Sequence, residues 1–192
     1  MKRLIGVLLM SLFATSALAE NIKTATFAGG CFWCMQGEFA NVDGVKKVVS
    51  GYTGGTTKNP TYEQVSSGNT GHVEAIEVQY DADKVAYTQL LDIFWENIDP
   101  LDKYGQFCDK GSQYRAGIFY HDAEQKQLAE ASKAKIYERF KQDIATVISP
   151  ASEFYPAEDY HQDYYIKNKI RYKLYRAGCG RDARLEELKG KN

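Results

Sequence analysis

Lys23-Thr24-Ala25-Thr26-Phe27-Ala28-Gly29-Gly30-Cys31-Phe32-Trp33-Cys34 is the stretch on which the reading of this chain turns. Thr24, Thr26 and Phe27 favour extended backbone, so residues 23–28 read as a strand. Two glycines allow an abrupt change of direction, and residues 31–42 then carry a helical pattern that stops near Asp43-Gly44. Strand, Gly-Gly, then cysteine in the first turn of a helix is a geometry that presents a nucleophile. Unpaired backbone N–H groups and the positive helix end favour a thiolate there. Cysteines so placed have pKa values lowered from about 8.5 into the range of roughly 3.5–7.5, and that is the expectation for Cys31.

Working outward, residues 46–52 predict a second strand, and Asn59-Pro60 the start of a short helix with Asn59 as N-cap. Residues 72–80 are the clearest strand, 87–97 a helix and 114–120 another strand. Asp122 with Gln125 predicts a capped helix to about residue 142, and 146–148 a weak strand. Strands and helices mixed in this way predict one α/β or α+β domain over residues 20–192, a sheet with packed helices and an irregular C-terminal tail.

The 192 residues carry 24 basic and 25 acidic side chains. That leaves no basic field for phosphate backbones, so nucleic acid is not expected as a partner. Aromatic residues at 13% exclude low-complexity disorder. Residues 1–19 read as a secretory leader: Lys2 and Arg3, an apolar stretch from Leu4 to Phe13, then Ala17-Leu18-Ala19 as the cleavage pattern. The apolar core is shorter than the roughly 20 residues of a membrane span. Export follows as the expectation, to the periplasm or, as the alternative, by secretion, with no stable membrane association after cleavage. Without Lys2 and Arg3 the 24 basic side chains become 22, against 25 acidic ones.

Four cysteines, Cys31, Cys34, Cys108 and Cys179, follow the leader. They are too few for a disulfide-stapled scaffold, and Cys31-Phe-Trp-Cys34 has the spacing of a redox pair. Met35 stands where a haem site needs histidine, and no second close ligand pair accompanies Cys31 and Cys34, so no metal site is expected. Glu158, Asp159, His161 and Asp163 resemble a ligand cluster but read as residues that cap and solvate a helix start. Phe32 and Trp33 can wall a small apolar group beside the thiol. In the strand 72–80, Glu74 shares a face with Ile76, Val78 and Tyr80, whereas Val73, Ala75, Glu77 and Gln79 take a face expected to be solvated. A carboxyl on the apolar face is desolvated, which raises its pKa and fits it to act as a general acid.

Gly30-Cys31-Phe32-Trp33, Gly51-Tyr-Thr-Gly-Gly55, Asn59-Pro-Thr-Tyr62, Gly71-His-Val-Glu74, Phe94-Trp-Glu-Asn97, Gln113-Tyr-Arg115 and His161-Gln162 occur in that order. Together they resemble the peptide methionine sulfoxide reductase A family, over nearly all of the chain after the leader. The resemblance implies an α+β fold, a mixed sheet with packed helices in a ferredoxin-like plait of the split βαβ kind. It also implies reduction of methionine-S-sulfoxide, free or protein-bound. The residue matching Cys31 attacks the sulfur, Glu74 protonates the oxygen, and Tyr62 and Tyr114 hydrogen-bond it. Phe32 and Trp33 hold the ε-methyl group, and Asp109 helps to shape the site. The attacking cysteine becomes a sulfenic acid, which condenses with a second cysteine.

An external dithiol, such as a thioredoxin-like protein, then reduces that disulfide, and no other cofactor is implied. Many relatives have glycine at Cys34 and asparagine at Cys108, with resolving cysteines in the tail. Cys179, between Gly178 and Gly180, is therefore the expected resolver, with Cys34 and Cys108 as alternatives. A monomer is expected. Two rival readings are a thiol–disulfide oxidoreductase working through Cys31 and Cys34, and a non-catalytic module that recognises oxidised methionine.

Overall fold

The computed structural model describes residues 20–190, so the expected leader, residues 1–19, lies outside the described residues. The chain runs through β1 (Ile22–Ala28), α1 (Phe32–Ala40), β2 (Val45–Thr53), α2 (Tyr62–Ser66), β3 (Val73–Asp81) and α3 (Tyr87–Glu96). Next come a small hairpin of β4 (Gly105–Gln106) and β5 (Asp109–Lys110), a 3₁₀ turn (Ser112–Tyr114), β6 (Gly117–Tyr120) and α4 (Ala123–Phe140). β7 (Val147–Pro150), β8 (Tyr155–Pro156), α5 (Tyr164–Lys167), α6 (Lys169–Gly178) and α7 (Arg181–Lys189) complete it.

Six strands form one sheet in the order β7-β6-β1-β3-β2-β8. Its central four, β6-β1-β3-β2, are antiparallel and joined through α1 and α3, which is the expected split βαβ plait. β7 adds in parallel to β6, making the sheet mixed. The main core lies between the sheet and the helices. Phe27 is its centre, with ring centroids 5.2 Å from Phe39 of α1 and 5.3 Å from Phe94 of α3. No helix among the described residues is long and apolar enough to cross a membrane.

Several boundaries differ from expectation for local reasons. Residues 114–116 are not strand: Tyr114 closes the 3₁₀ turn, which Gln113 ties to Ser66 of α2 (Nε2 to carbonyl oxygen, 2.9 Å). The short helix begins at Tyr62, not at Pro60. Thr61 and Gln64 form a reciprocal capping box there, while Asn59 adopts a left-handed φ of 46°. The face of β3 expected to be solvated is covered at its start, where Val73 and Ala75 pack with Ala28, Phe119 and Phe154. Gln125 reaches past its cap residue and accepts from the His121 N–H, while Asp122 caps the Gln125 N–H at 2.7 Å.

The turn from β1 into α1 depends on Gly30. Its φ is +78°, and a Cβ there would lie 2.6 Å from Gln106 Cβ. Left-handed backbone and contact together predict that Gly30→Ala lowers stability by about 1–3 kcal/mol. Chemical denaturation of the two proteins should show that loss as a lower midpoint at unchanged slope.

Candidate active site

Cys31 is the N-cap of α1, and its carbonyl accepts from the Cys34 N–H at 3.1 Å. One turn of helix thus sets the two thiols on one face, both buried and both free. β3 delivers Glu74 from the sheet opposite Tyr52 of β2. Its Oε2 accepts the Phe32 N–H at 3.0 Å, an amide left unpaired by the helix start. Acid and nucleophile are therefore joined through one backbone group.

Around them closes a cavity of about 60 Å³ lined by Cys31, Phe32, Trp33, Tyr62, Glu74, Asp109, Tyr114 and Tyr175. It suits a terminal group rather than a whole side chain. A larger groove of about 550 Å³ between α1, β2 and β8 is lined by residues such as Gln36, Lys46 and Phe154 and holds no thiol. The chemistry belongs to the smaller cavity.

Each wall has its own support. Trp33 stacks on Tyr164 at 3.8 Å and 7°, and its indole N–H donates to His161 Nδ1 at 3.0 Å. That bond assigns the His161 proton to Nε2. Glu158 accepts from the Tyr62 N–H and the Tyr52 hydroxyl, both at 2.8 Å, which fixes the first residue of α2. Gln162 pairs with both backbone groups of Ser50. Glu158 and His161 therefore buttress the cavity instead of solvating a helix start as expected. Asp163 stands at the N-cap of α5 without a side-chain capping bond.

Burial pushes the Glu74 carboxyl up to about 8, against the opposing pull of the Phe32 N–H. Glu74 is accordingly protonated at neutral pH. Burial likewise raises the Tyr62 hydroxyl to about 12 and raises Tyr114 and Tyr175, so all three stay able to donate. The thiols correct the expectation for Cys31. Burial pushes its thiol up, with Cys34 and Glu74 acting in the same direction. A hydrogen bond from Cys31 brings Cys34 down to about 7, against burial and with help from Arg181 and Arg176. Burial thus opposes charge on Cys31, while the hydrogen bond between the two sulfurs favours a single thiolate that belongs to the pair.

The structure brings together Cys31, Phe32, Trp33, Tyr62, Glu74, Asp109 and Tyr114, all singled out in the sequence. It does not bring Cys179 to the cavity. That sulfur is bonded to Cys108, 71 residues away in sequence. Tyr175 was missed, being one of several tyrosines in the tail with nothing in its neighbours to mark it. Its hydroxyl donates to Asp109 Oδ2 at 2.5 Å, and its ring meets Trp33 edge-on at 5.8 Å.

A buried thiol pair, a protonated carboxyl and clustered hydroxyls on an α+β plait define a thiol-dependent oxidoreductase. The family model described as "Peptide methionine sulfoxide reductase" matches residues 23–192. A peptide methionine sulfoxide reductase MsrA of Bacillus licheniformis is 52% identical over 176 residues, 91% of this chain and 97% of that protein. The reduced form of Mxr1 from Saccharomyces cerevisiae superposes with a TM-score of 0.74 at 32% identity, over 78% of this chain and 87% of that one. Mxr1 in complex with Trx2 matches at a TM-score of 0.55 and 23% identity, over 78% of this chain and 91% of that one. The chain belongs to the peptide methionine sulfoxide reductase family, and its activity is the thiol-dependent reduction of methionine sulfoxide.

Proposed function

We propose that this chain reduces methionine-S-sulfoxide, free or in proteins, through attack by Cys31. The observation that carries this reading is the buried Glu74 carboxyl, hydrogen-bonded to the Phe32 N–H beside the Cys31 sulfur. Sulfoxide oxygen is a poor leaving group until protonated, and Glu74 holds a proton at neutral pH. Tyr62 and Tyr114 donate hydrogen bonds to the same oxygen, while Phe32 and Trp33 face the methyl group. Asp109 shapes the remaining wall.

Cys31 passes its proton to Cys34 and attacks the sulfoxide sulfur. The oxygen takes the one proton of Glu74, leaves that sulfur and ends as the hydroxyl of a Cys31 sulfenic acid, releasing methionine; the Glu74 carboxylate regains its proton from water. The Cys34 thiol then displaces that hydroxyl as water and forms a Cys31–Cys34 disulfide. Cys34 takes the resolving role in preference to Cys179 because it already faces Cys31, whereas Cys179 is bonded elsewhere. An external dithiol of the thioredoxin type restores both thiols by disulfide exchange.

The chain repairs oxidised proteins outside the cytoplasm, in the periplasm, and works as a monomer; the leader pattern of residues 1–19 supports export. The direct test offers the purified chain separate S and R epimers of a methionine sulfoxide with excess dithiothreitol and quantifies methionine. Reduction of the S epimer alone is expected. Reduction of neither epimer, with intact disulfide exchange, would replace this reading by a dithiol oxidoreductase.

A further inference from the structure

Helix α6 supplies Tyr175 to the cavity wall, yet none of its ten residues is buried. Packing alone does not hold such a helix in place. Its C-terminal end is held by polar and covalent contacts. Arg176 pairs with Glu38 of α1 at 2.8 Å and with Asp182 at 2.7 Å. Cys179, the C-cap, is bonded to Cys108 at the tip of the β4–β5 hairpin.

The two half-cystines adjoin the two partners of one hydrogen bond. Cys108 immediately precedes Asp109, and Cys179 follows Tyr175 by about one helical turn, with its N–H on the Tyr175 carbonyl at 2.8 Å. Tyr175 in turn donates to Asp109 and lines the same small cavity as the Cys31 thiol. The hairpin tip does not hold its shape by local preference, because Phe107 carries a φ of +54°. From the tail, the Arg181 guanidinium covers the Phe107 ring at 4.5 Å.

We propose that the Cys108–Cys179 disulfide positions the reaction at Cys31: it stays bonded through the catalytic cycle and fixes Tyr175 on Asp109, making Tyr175 a further catalytic residue that meets the substrate in the cavity it lines with the attacking sulfur. Electrons then pass only through Cys31 and Cys34, and Cys108 and Cys179 are positioning residues. The inference rests on Cys31 as the attacking thiol.

The test is single-turnover methionine formation from N-acetyl-methionine-S-sulfoxide amide without reductant, in wild type, Tyr175→Phe, Cys108→Ser/Cys179→Ser and the triple variant. Tyr175→Phe and the serine pair are each expected to slow the first turnover about tenfold. The triple variant should be no slower than the slower of them, because both remove one arrangement. In a Cys34→Ser background, where a single free thiol titrates, thiolate absorbance at 240 nm should move to higher pH in both. A purely structural loss would lower the melting temperature without moving that titration.

A wild-type first-turnover rate in the serine pair overturns the inference, and so do additive effects in the triple variant. A wild-type first turnover followed by loss of recycling would instead make Cys108 and Cys179 electron carriers. If the serine pair fails to fold, the alanine pair Cys108→Ala/Cys179→Ala replaces it. Tyr175→Phe, which keeps the disulfide, overturns the inference by itself if its first turnover is unchanged. Methionine formation by Cys31→Ser in the same assay would overturn the attacking-thiol reading and not the clamp alone.

Discussion

Replacing Cys31 by serine is expected to lower methionine formation by about 10⁴-fold or more, to the assay blank, because no other group in the cavity can attack a sulfoxide sulfur. Glu74, the tyrosines and Asp109 supply protons and hydrogen bonds, but none of them supplies a soft nucleophile. Cys34→Ser should behave differently. It still forms one methionine per chain in the absence of reductant and leaves a Cys31 sulfenic acid that dimedone traps. With a thioredoxin-type protein as reductant, its steady-state rate should fall by about 10²-fold, since the protein reductant requires a disulfide to attack. Normal turnover of Cys34→Ser under those conditions, with arrest of Cys179→Ser, would return the resolving role to Cys179.

Glu74→Gln is expected to lower kcat/KM by about 10²–10⁴-fold, the range for loss of a positioned general acid. The glutamine carbonyl can still accept the Phe32 N–H, so the geometry is kept and only the proton is lost. In wild type the same proton sets the alkaline limit of activity: kcat/KM should fall above pH about 8, where the buried carboxyl ionises. Stability follows with a defined sign. A carboxyl with a folded-state pKa of about 8 against an ordinary 4.5 binds its proton more tightly when folded. Its contribution is complete below 4.5 and shrinks by about 1.4 kcal/mol per pH unit up to about 8. Glu74→Gln therefore loses activity while melting higher than wild type at pH 9. A melting temperature with the same pH slope in both proteins would show that Glu74 is not the buried acid.

The entry to the site was legible because its signals are local. Alternating apolar residues, two glycines and a cysteine at a helix start need no distant partner to be read, and β1, α1 and the apolar face of β3 stand where their side-chain patterns place them. Glu74 was visible for the same reason, as a carboxyl in step with Ile76, Val78 and Tyr80. What could not be read depends on tertiary contacts. The Cys108–Cys179 bond joins segments 71 residues apart, with nothing in either flank to pair them. Tyr114 carries strand-like neighbours, yet the Gln113 bond to Ser66 bends it into a turn. The upward shift of the Cys31 thiol was not legible because helix position is a local signal, while burial and a neighbouring thiol are not.

The site is assembled where the sheet meets the first turn of a helix. Glu74 sits on β3, which has a neighbouring strand along both edges, so the oxygen-facing corner moves only if the sheet does. The thiols sit on the first turn of α1, whose cap residue makes no side-chain capping bond. The Phe32 N–H on Glu74 ties that turn to the sheet all the same. Cys31 can therefore pass from the substrate's sulfur to Cys34, one helical turn away, by rotation of side chains alone, while the proton donor keeps its place for the next substrate.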